Sequence, residues 1–261
     1  MASQFPTLVL VWIMALAMPT SAQIIVAAAA DLNAALSEIA ANYEKSGGSK
    51  VRLSFGSSGN LFNQIQNSAP FDIFFSADVD YPKKLIEAGL AEKSSLYRYA
   101  VGQLVLWVPA SSSLDAEHGG MSILLDPSVK KISLANPEHA PYGRAAVAAL
   151  RHFRLYERVS DRFVFGENVS QAAQFVESGN AQAGFVALSH AMAPGMREKG
   201  RYWIIPSDAY PALQQAAVIL SHSSKKAEAA AFLQYIQEPE AVGVLRHYGF
   251  SVPEETPEAK H

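Results

Sequence analysis

From Ile24 to Gly89 the chain repeats one pattern three times, an apolar stretch followed by a segment with apolar residues at helical spacing. IIVAAAA (24–30) reads as a buried strand, and Leu32, Leu36, Ile39, Ala40 and Tyr43 then share one face of a helix over Leu32–Lys45. KVRLSFG (50–56) precedes a helix over Leu61–Asn67, and FDIFFSA (71–77) precedes one over Tyr81–Ala88. A strand buried on both faces followed by an amphipathic helix is a βα unit. Repetition of that unit forces a mostly parallel sheet with helices on its faces.

YRYAVGQLVLWVP (97–109) reads as one long strand, and the pattern then resumes. KISLANP (131–137), RFVFGE (162–167) and AGFVAL (183–188) are strands, with helices expected over Gly143–Phe153 and Ser170–Ser178. WIIP (203–206) and AAVILS (216–221) are later strands, followed by helices over Lys225–Gln237 and Pro239–Tyr248. The last segment is too small to stand alone, so the economical arrangement returns it to the first group. The fold class is α/β in two lobes: parallel-rich sheets with flanking helices and a ligand cleft between them. The expected boundaries are 23–100 and 206–252 for one lobe and 101–205 for the other. The tail 253–261, polar and containing proline, reads as disordered.

Residues 8–18, LVLVWIMALAM, are too short an apolar run to span a bilayer, and Pro19–Ala22 follow it with small residues. Residues 1–22 therefore read as a signal peptide cut after Ala22, although no Lys or Arg precedes the apolar run. An exported, periplasmic protein is expected. The 261 residues contain no cysteine, which excludes disulfides and thiolate chemistry. A formal net charge of −3 provides no overall basic footprint for nucleic acid.

In parallel α/β folds ligands bind beyond the carboxyl ends of strands, where helices begin. Four such helix mouths stand out: AAAADLN (27–33), FGSSGNL (55–61), NPEHAPYGR (136–144) and FGENVSQ (165–171), two in each lobe. Each offers unpaired N–H groups and a positive dipole end, so together they could surround a small anion. The ordinary explanation is that Ser and Asp are common N-caps and that every parallel fold has helix starts. Asp31 in particular reads as an N-cap, because a carboxylate repels a bound anion.

Catalytic patterns fit less well. Gly56-Ser57-Ser58-Gly59 is not G-x-S-x-G, and no Gly-Lys-Ser/Thr follows to make a phosphate loop. Asp72, Asp78 and Asp80 could hold a metal but lack calcium-loop spacing. Ser58 with His139 would serve a secreted hydrolase. Arg144 would serve a carboxylate ligand, or simply face solvent.

The motifs AAAADLNAALSEIA, SFGSSGNLFNQI, APFDIFFSAD, NPEHAPYG and ENVSQAAQFVESGNAQAGFV, in that order, resemble the periplasmic molybdate-binding proteins of ABC importers, with a two-lobed type II binding-protein fold. The resemblance runs from about Ile24 to Val252. It implies capture of molybdate, with tungstate as a second ligand, by neutral donors and without catalysis or a cofactor. It implies as partners a membrane permease with its cytoplasmic ATPase, and a monomeric binding protein. Its oxyanion site falls on Asp31, Ser58, Tyr142 and Val169, through backbone N–H groups and the Ser58 hydroxyl. Ala30, Ser57 and Ala187 lie beside them. Two donors of the family pattern are missing: a serine often stands where this chain has Asp31, and a tyrosine where it has Ala187. The Tyr142 hydroxyl is expected to compensate. Gly56 and Gly59 are expected to permit the turn that presents Ser58.

Overall fold

The computed structural model describes residues 23–252. The expected signal peptide (1–22) and tail (253–261) lie outside the described residues.

The strands are β1 (Gln23–Ala29), β2 (Lys50–Gly56), β3 (Ile73–Ser76), β4 (Tyr97–Gly102), β5 (Leu104–Pro109), β6 (Ile132–Ala135), β7 (Phe163–Gly166), β8 (Ala183–Ala187), β9 (Gly200–Ile204) and β10 (Leu213–Ile219). They form two five-stranded sheets of order β2-β1-β3-β10-β4 and β7-β6-β8-β5-β9. In the first, β1 runs parallel to β2 and β3, while β10 is antiparallel to β3 and β4. In the second, β6 runs parallel to β7 and β8, while β5 is antiparallel to β8 and β9. The three-strand parallel cores are the βα repeats of the sequence. The antiparallel strands are those that carry the chain between sheets.

Alternation along each strand supplies both faces. Ile24, Val26 and Ala28 pack with Leu36 and Ile39 of the first helix and with Phe232 and Leu245 near the C-terminus. Ala27, on the other face, packs with Leu61, Ile65 and Phe74. In the second sheet Leu104, Leu106 and Val108 join one core while Val105 and Trp107 join another. Each sheet is therefore covered on both sides, as parallel strands require.

One expected element is divided. The segment 97–109 is not a single strand: β4 ends at Gly102 in the first sheet and β5 begins at Leu104 in the second. Gln103 lies between them, and its carbonyl accepts from the Leu188 N–H at 2.9 Å. The sequence marks the break only by Gly102-Gln103, a glycine and one polar residue between two buried apolar stretches, which is too short an interruption to distinguish a change of sheet from a continuous strand. The chain crosses back between β9 and β10, where the Tyr210 hydroxyl accepts from the Leu104 N–H at 3.1 Å.

Candidate functional site

The four helix mouths can be followed donor by donor. The helix Ser58–Gln66 is capped by Ser57, whose hydroxyl accepts from the Asn60 N–H at 3.3 Å. The Gly59 N–H donates to the His139 carbonyl at 2.9 Å. The helix makes its first internal bond at Leu61, so the Ser58 N–H is left over. The Ser58 hydroxyl accepts from the Ala77 N–H at 3.0 Å and keeps its own proton to donate.

The helix Pro141–His152 begins with a proline, which has no N–H, and its first internal bond is from Arg144 to the Ala140 carbonyl. Tyr142 and Gly143 remain. The helix Val169–Glu177 is capped by Asn168, which accepts from the Gln171 N–H at 3.0 Å. Val169 and Ser170 remain. Ser58, Tyr142 and Val169 are all buried. A buried N–H without an acceptor is costly, so these leftover donors mark a place for an acceptor-rich group.

Direct contacts bring the mouths together. Ser170 donates to the Ala30 carbonyl at 3.1 Å and Ser189 to the Asp31 carbonyl at 2.7 Å. The Asn60 amide donates to Glu167 at 2.9 Å. Ala29, Ala30 and Ala77 from the ends of the first sheet's strands share one apolar cluster with Ala140, Tyr142, Val169 and Ala187 of the second lobe. The two lobes meet over these residues.

Asp31 departs from expectation. It is not an N-cap. The 3-10 helix Ala30–Leu32 is preceded by Ala29, with no side-chain cap. The Asp31 side chain, 2 % exposed, instead accepts from the Gln215 amide through Oδ2 at 2.5 Å. Oδ1 is buried with no hydrogen-bond partner among the described residues. Burial raises its pKa from 3.8 to about 6, opposed by hydrogen bonding from Gln215 and Tyr142 and by the N–H groups of Asp31 and Leu32.

The Tyr142 hydroxyl lies in this same cluster, 3.5 Å from the Gln215 amide nitrogen. A Cβ on Gly102 would come within 2.2 Å of that hydroxyl oxygen, so glycine at 102 makes room for it. Gly59 also serves by close approach. Its φ is not in the left-handed region, but a Cβ there would sit 2.7 Å from the His139 carbonyl across the cleft. Gly56 likewise has ordinary φ, so neither glycine acts through the turn freedom expected of it.

The alternative chemistries find different partners. Asp72 accepts from the Ile25 N–H and the Ser223 hydroxyl, both at 2.7 Å, and so ties β1 to the segment after β10. Among the described residues no group of three acidic or histidine side chains is near enough to hold a cation. His139 contributes its backbone carbonyl. Arg144, a solvent-exposed side chain, pairs with Asp78 at 2.6 Å and lies 5.6 Å from the Tyr81 ring centre. Ala187, fully buried opposite Leu104, offers no side-chain donor.

Sequence reasoning missed Gln215, Tyr99, Ser170, Ser189 and His190. Gln215, fully buried in a β-branched and alanine-rich strand, was the detectable one, because a polar residue inside such a run needs a partner. Its carbonyl accepts from the Tyr99 hydroxyl at 2.7 Å, which turns its amide toward Asp31. Ser170 lies 2.7 Å from His190 Nε2. With the single Ser170 proton given to Ala30, Nε2 is the donor and Nδ1 is bare, and Nδ1 is buried without a partner. Burial lowers the His190 pKa to about 4, so it stays neutral.

Residues 24–251 match the family model described as bacterial extracellular solute-binding protein. The chain is 40% identical over 232 residues to the molybdate-binding protein ModA of Azotobacter vinelandii, covering 89% of this chain and 91% of that one. The ModA of Rhodobacter capsulatus is 37% identical, covering 91% and 92%. The solved A. vinelandii periplasmic molybdate-binding protein superposes with a TM-score of 0.83 at 34% identity, covering 88% of this chain and 100% of that one.

Proposed function

The chain belongs to the bacterial extracellular solute-binding proteins, beside the relatives named ModA, and from that membership we propose that its cleft captures molybdate and delivers it to an ABC importer. The observation that carries this reading is the set of buried N–H groups on Ser58, Tyr142 and Val169, left without acceptors at helix starts that touch one another. A tetrahedral dianion is all acceptor. Donors aimed from helix N-termini suit it, each charge-assisted bond contributing about 1.5–3 kcal/mol. The only arginine in these mouths, Arg144, is already paired with Asp78, so neutral donors carry the charge.

Tungstate, with the same charge and nearly the same size, is the second ligand; sulfate is smaller and leaves a fixed ring of donors too far from its oxygens. The protein acts by capture rather than catalysis. The Ser58 hydroxyl takes the Ala77 N–H, and among the described residues no hydrogen bond joins it to a histidine. Ser170 and His190 do form a pair, but no carboxylate orients the histidine.

Gln103 and residues 205–212 are the two crossings about which the lobes turn. Closure joins Gly59 to His139, Asn60 to Glu167 and Arg144 to Asp78, and the joined faces present one surface to a membrane permease in the periplasm.

Calorimetric titration with molybdate, tungstate and sulfate in separate runs tests this. One-to-one binding of the first two with sulfate silent is expected. Absence of heat and of thermal stabilisation with molybdate and tungstate overturns it.

A further inference from the structure

Asp31 is a buried acid at the centre of an anion site, and the hydrogen bonds around it determine where a proton can sit. The Tyr99 hydroxyl lies 2.7 Å from the Gln215 carbonyl and 3.1 Å from the Ser76 carbonyl; with its one proton given to the nearer acceptor, the Gln215 amide presents N–H to Asp31 Oδ2. Oδ2 is thereby the accepting oxygen. Oδ1 is buried and has no partner among the described residues. The Ser189 hydroxyl is directed at the Asp31 backbone carbonyl and leaves the carboxyl alone.

We propose that Asp31 is a proton-carrying donor of the ion site: its Oδ1–H bonds an oxygen of the bound molybdate, and each dianion captured brings one proton with it from solvent. This rests on the reading of the cleft as an oxyanion site. The proton moves from water or buffer to the carboxylate as the ion enters, no covalent bond to the ion forms, and both leave when the lobes open. A carboxylate and a dianion in contact in a dry cleft repel strongly, and protonation of the acid turns that repulsion into a hydrogen bond.

The surroundings supply hydrogen bonds from Gln215, Tyr142 and the Asp31 and Leu32 N–H groups, but no positive charge. Tyr142, from the helix Pro141–His152, hydrogen-bonds the Asp31 carboxyl and Tyr99 faces it from β4, and burial keeps both phenols protonated. Gln215 on β10 and Ser189 are uncharged. His190, behind Ser170, is neutral. The nearby cation Arg144 is engaged by Asp78. Burial already raises the Asp31 carboxyl to about 6 without an ion, and a dianion raises it further.

The test is calorimetry of the full protein with sodium molybdate near neutral and mildly alkaline pH, in two buffers of different ionisation enthalpy. The expected result is uptake of about one proton per ion, with affinity falling roughly tenfold per pH unit above the free-protein pKa. Asp31→Asn keeps a donor that carries no exchangeable charge. It is expected to bind with no proton uptake, with an affinity flat in pH and tighter than the parent under alkaline conditions.

Molybdate binding by the unmodified protein with no proton uptake and flat affinity overturns the inference while leaving the ion assignment intact. Proton uptake that persists in a folded Asp31→Asn variant also overturns it. No molybdate binding at any pH removes the ion assignment and the inference together.

Discussion

At the scale of single residues, the proposed ion site contains an acid where a neutral donor would serve. Asp31 has a folded-state pKa raised above its ordinary value. The folded protein therefore holds more protons than the unfolded chain between about pH 4 and 6. Stability from this group is full below its unfolded pKa and is lost as pH rises through about 6. Without molybdate, Asp31→Asn should stabilise the protein by on the order of 3 kcal/mol in alkaline buffer and by little in acid. Thermal midpoints measured across that range check the sign.

Ser58 gives the complementary case. Its hydroxyl accepts from Ala77 and has one proton to spend. Ser58→Ala should weaken molybdate binding by about 1.5–3 kcal/mol and leave some binding through the backbone, which titration calorimetry reads directly.

At the scale of elements, what matters is how near one helix start can come to the opposite lobe. Gly59 is inside a helix, where glycine is ordinarily a cost of about 1 kcal/mol relative to alanine. It is required because its N–H meets the His139 carbonyl at 2.9 Å, an approach that leaves no room for a Cβ. Gly59→Ala should therefore bind molybdate at least about tenfold more weakly, since a Cβ 2.7 Å from that carbonyl holds the lobes apart. The ion-free thermal midpoint should change little, because alanine favours the helix while the Tyr81 hydroxyl, 2.6 Å from the new Cβ, has to swing aside.

The short helix Leu188–Met192 makes a second contact of this kind. His190 must be neutral to lie buried against Ser170, and its folded-state pKa is lowered to about 4. The folded protein holds fewer protons at this site than the unfolded chain, so this contribution is present above about 6.5 and is lost as pH falls toward 4. His190→Gln should flatten the acid limb of the stability profile.

At the scale of the whole molecule, the lobes are held together by a few polar contacts around a small apolar centre. The Arg144–Asp78 pair spans the mouth, with the arginine 43% exposed and the aspartate 15%. Solvent screening limits such a pair to about 0–1 kcal/mol. Arg144→Gln should speed molybdate release by no more than about fivefold, and by less at high salt, as stopped-flow dissociation would show. If hinge closure at Gln103 and residues 205–212 governs capture, scattering should record a smaller radius of gyration with molybdate than without.

The βα periodicity determined the parallel cores of both sheets, because apolar alternation and helical spacing are local properties that survive in a linear reading. The return of the C-terminal segment followed from its being too small to bury itself, and β10 does lie in the first sheet. The helix mouths were legible too, since small residues, caps and proline at a helix start are local chemistry.

What the line of residues could not disclose was contact between distant parts. The break at Gln103 shows in the sequence only as Gly102-Gln103 between two apolar stretches, and nothing local says that the stretches serve two sheets. Asp31 read as a cap because its partner Gln215 is 184 positions away. Gly59 read as a turn residue because the carbonyl it accommodates belongs to the other lobe. Secondary structure rests on interactions within a few residues. The protonation of a buried acid and the fit of two lobes depend on what the folded chain brings alongside, and only the tertiary structure decides that.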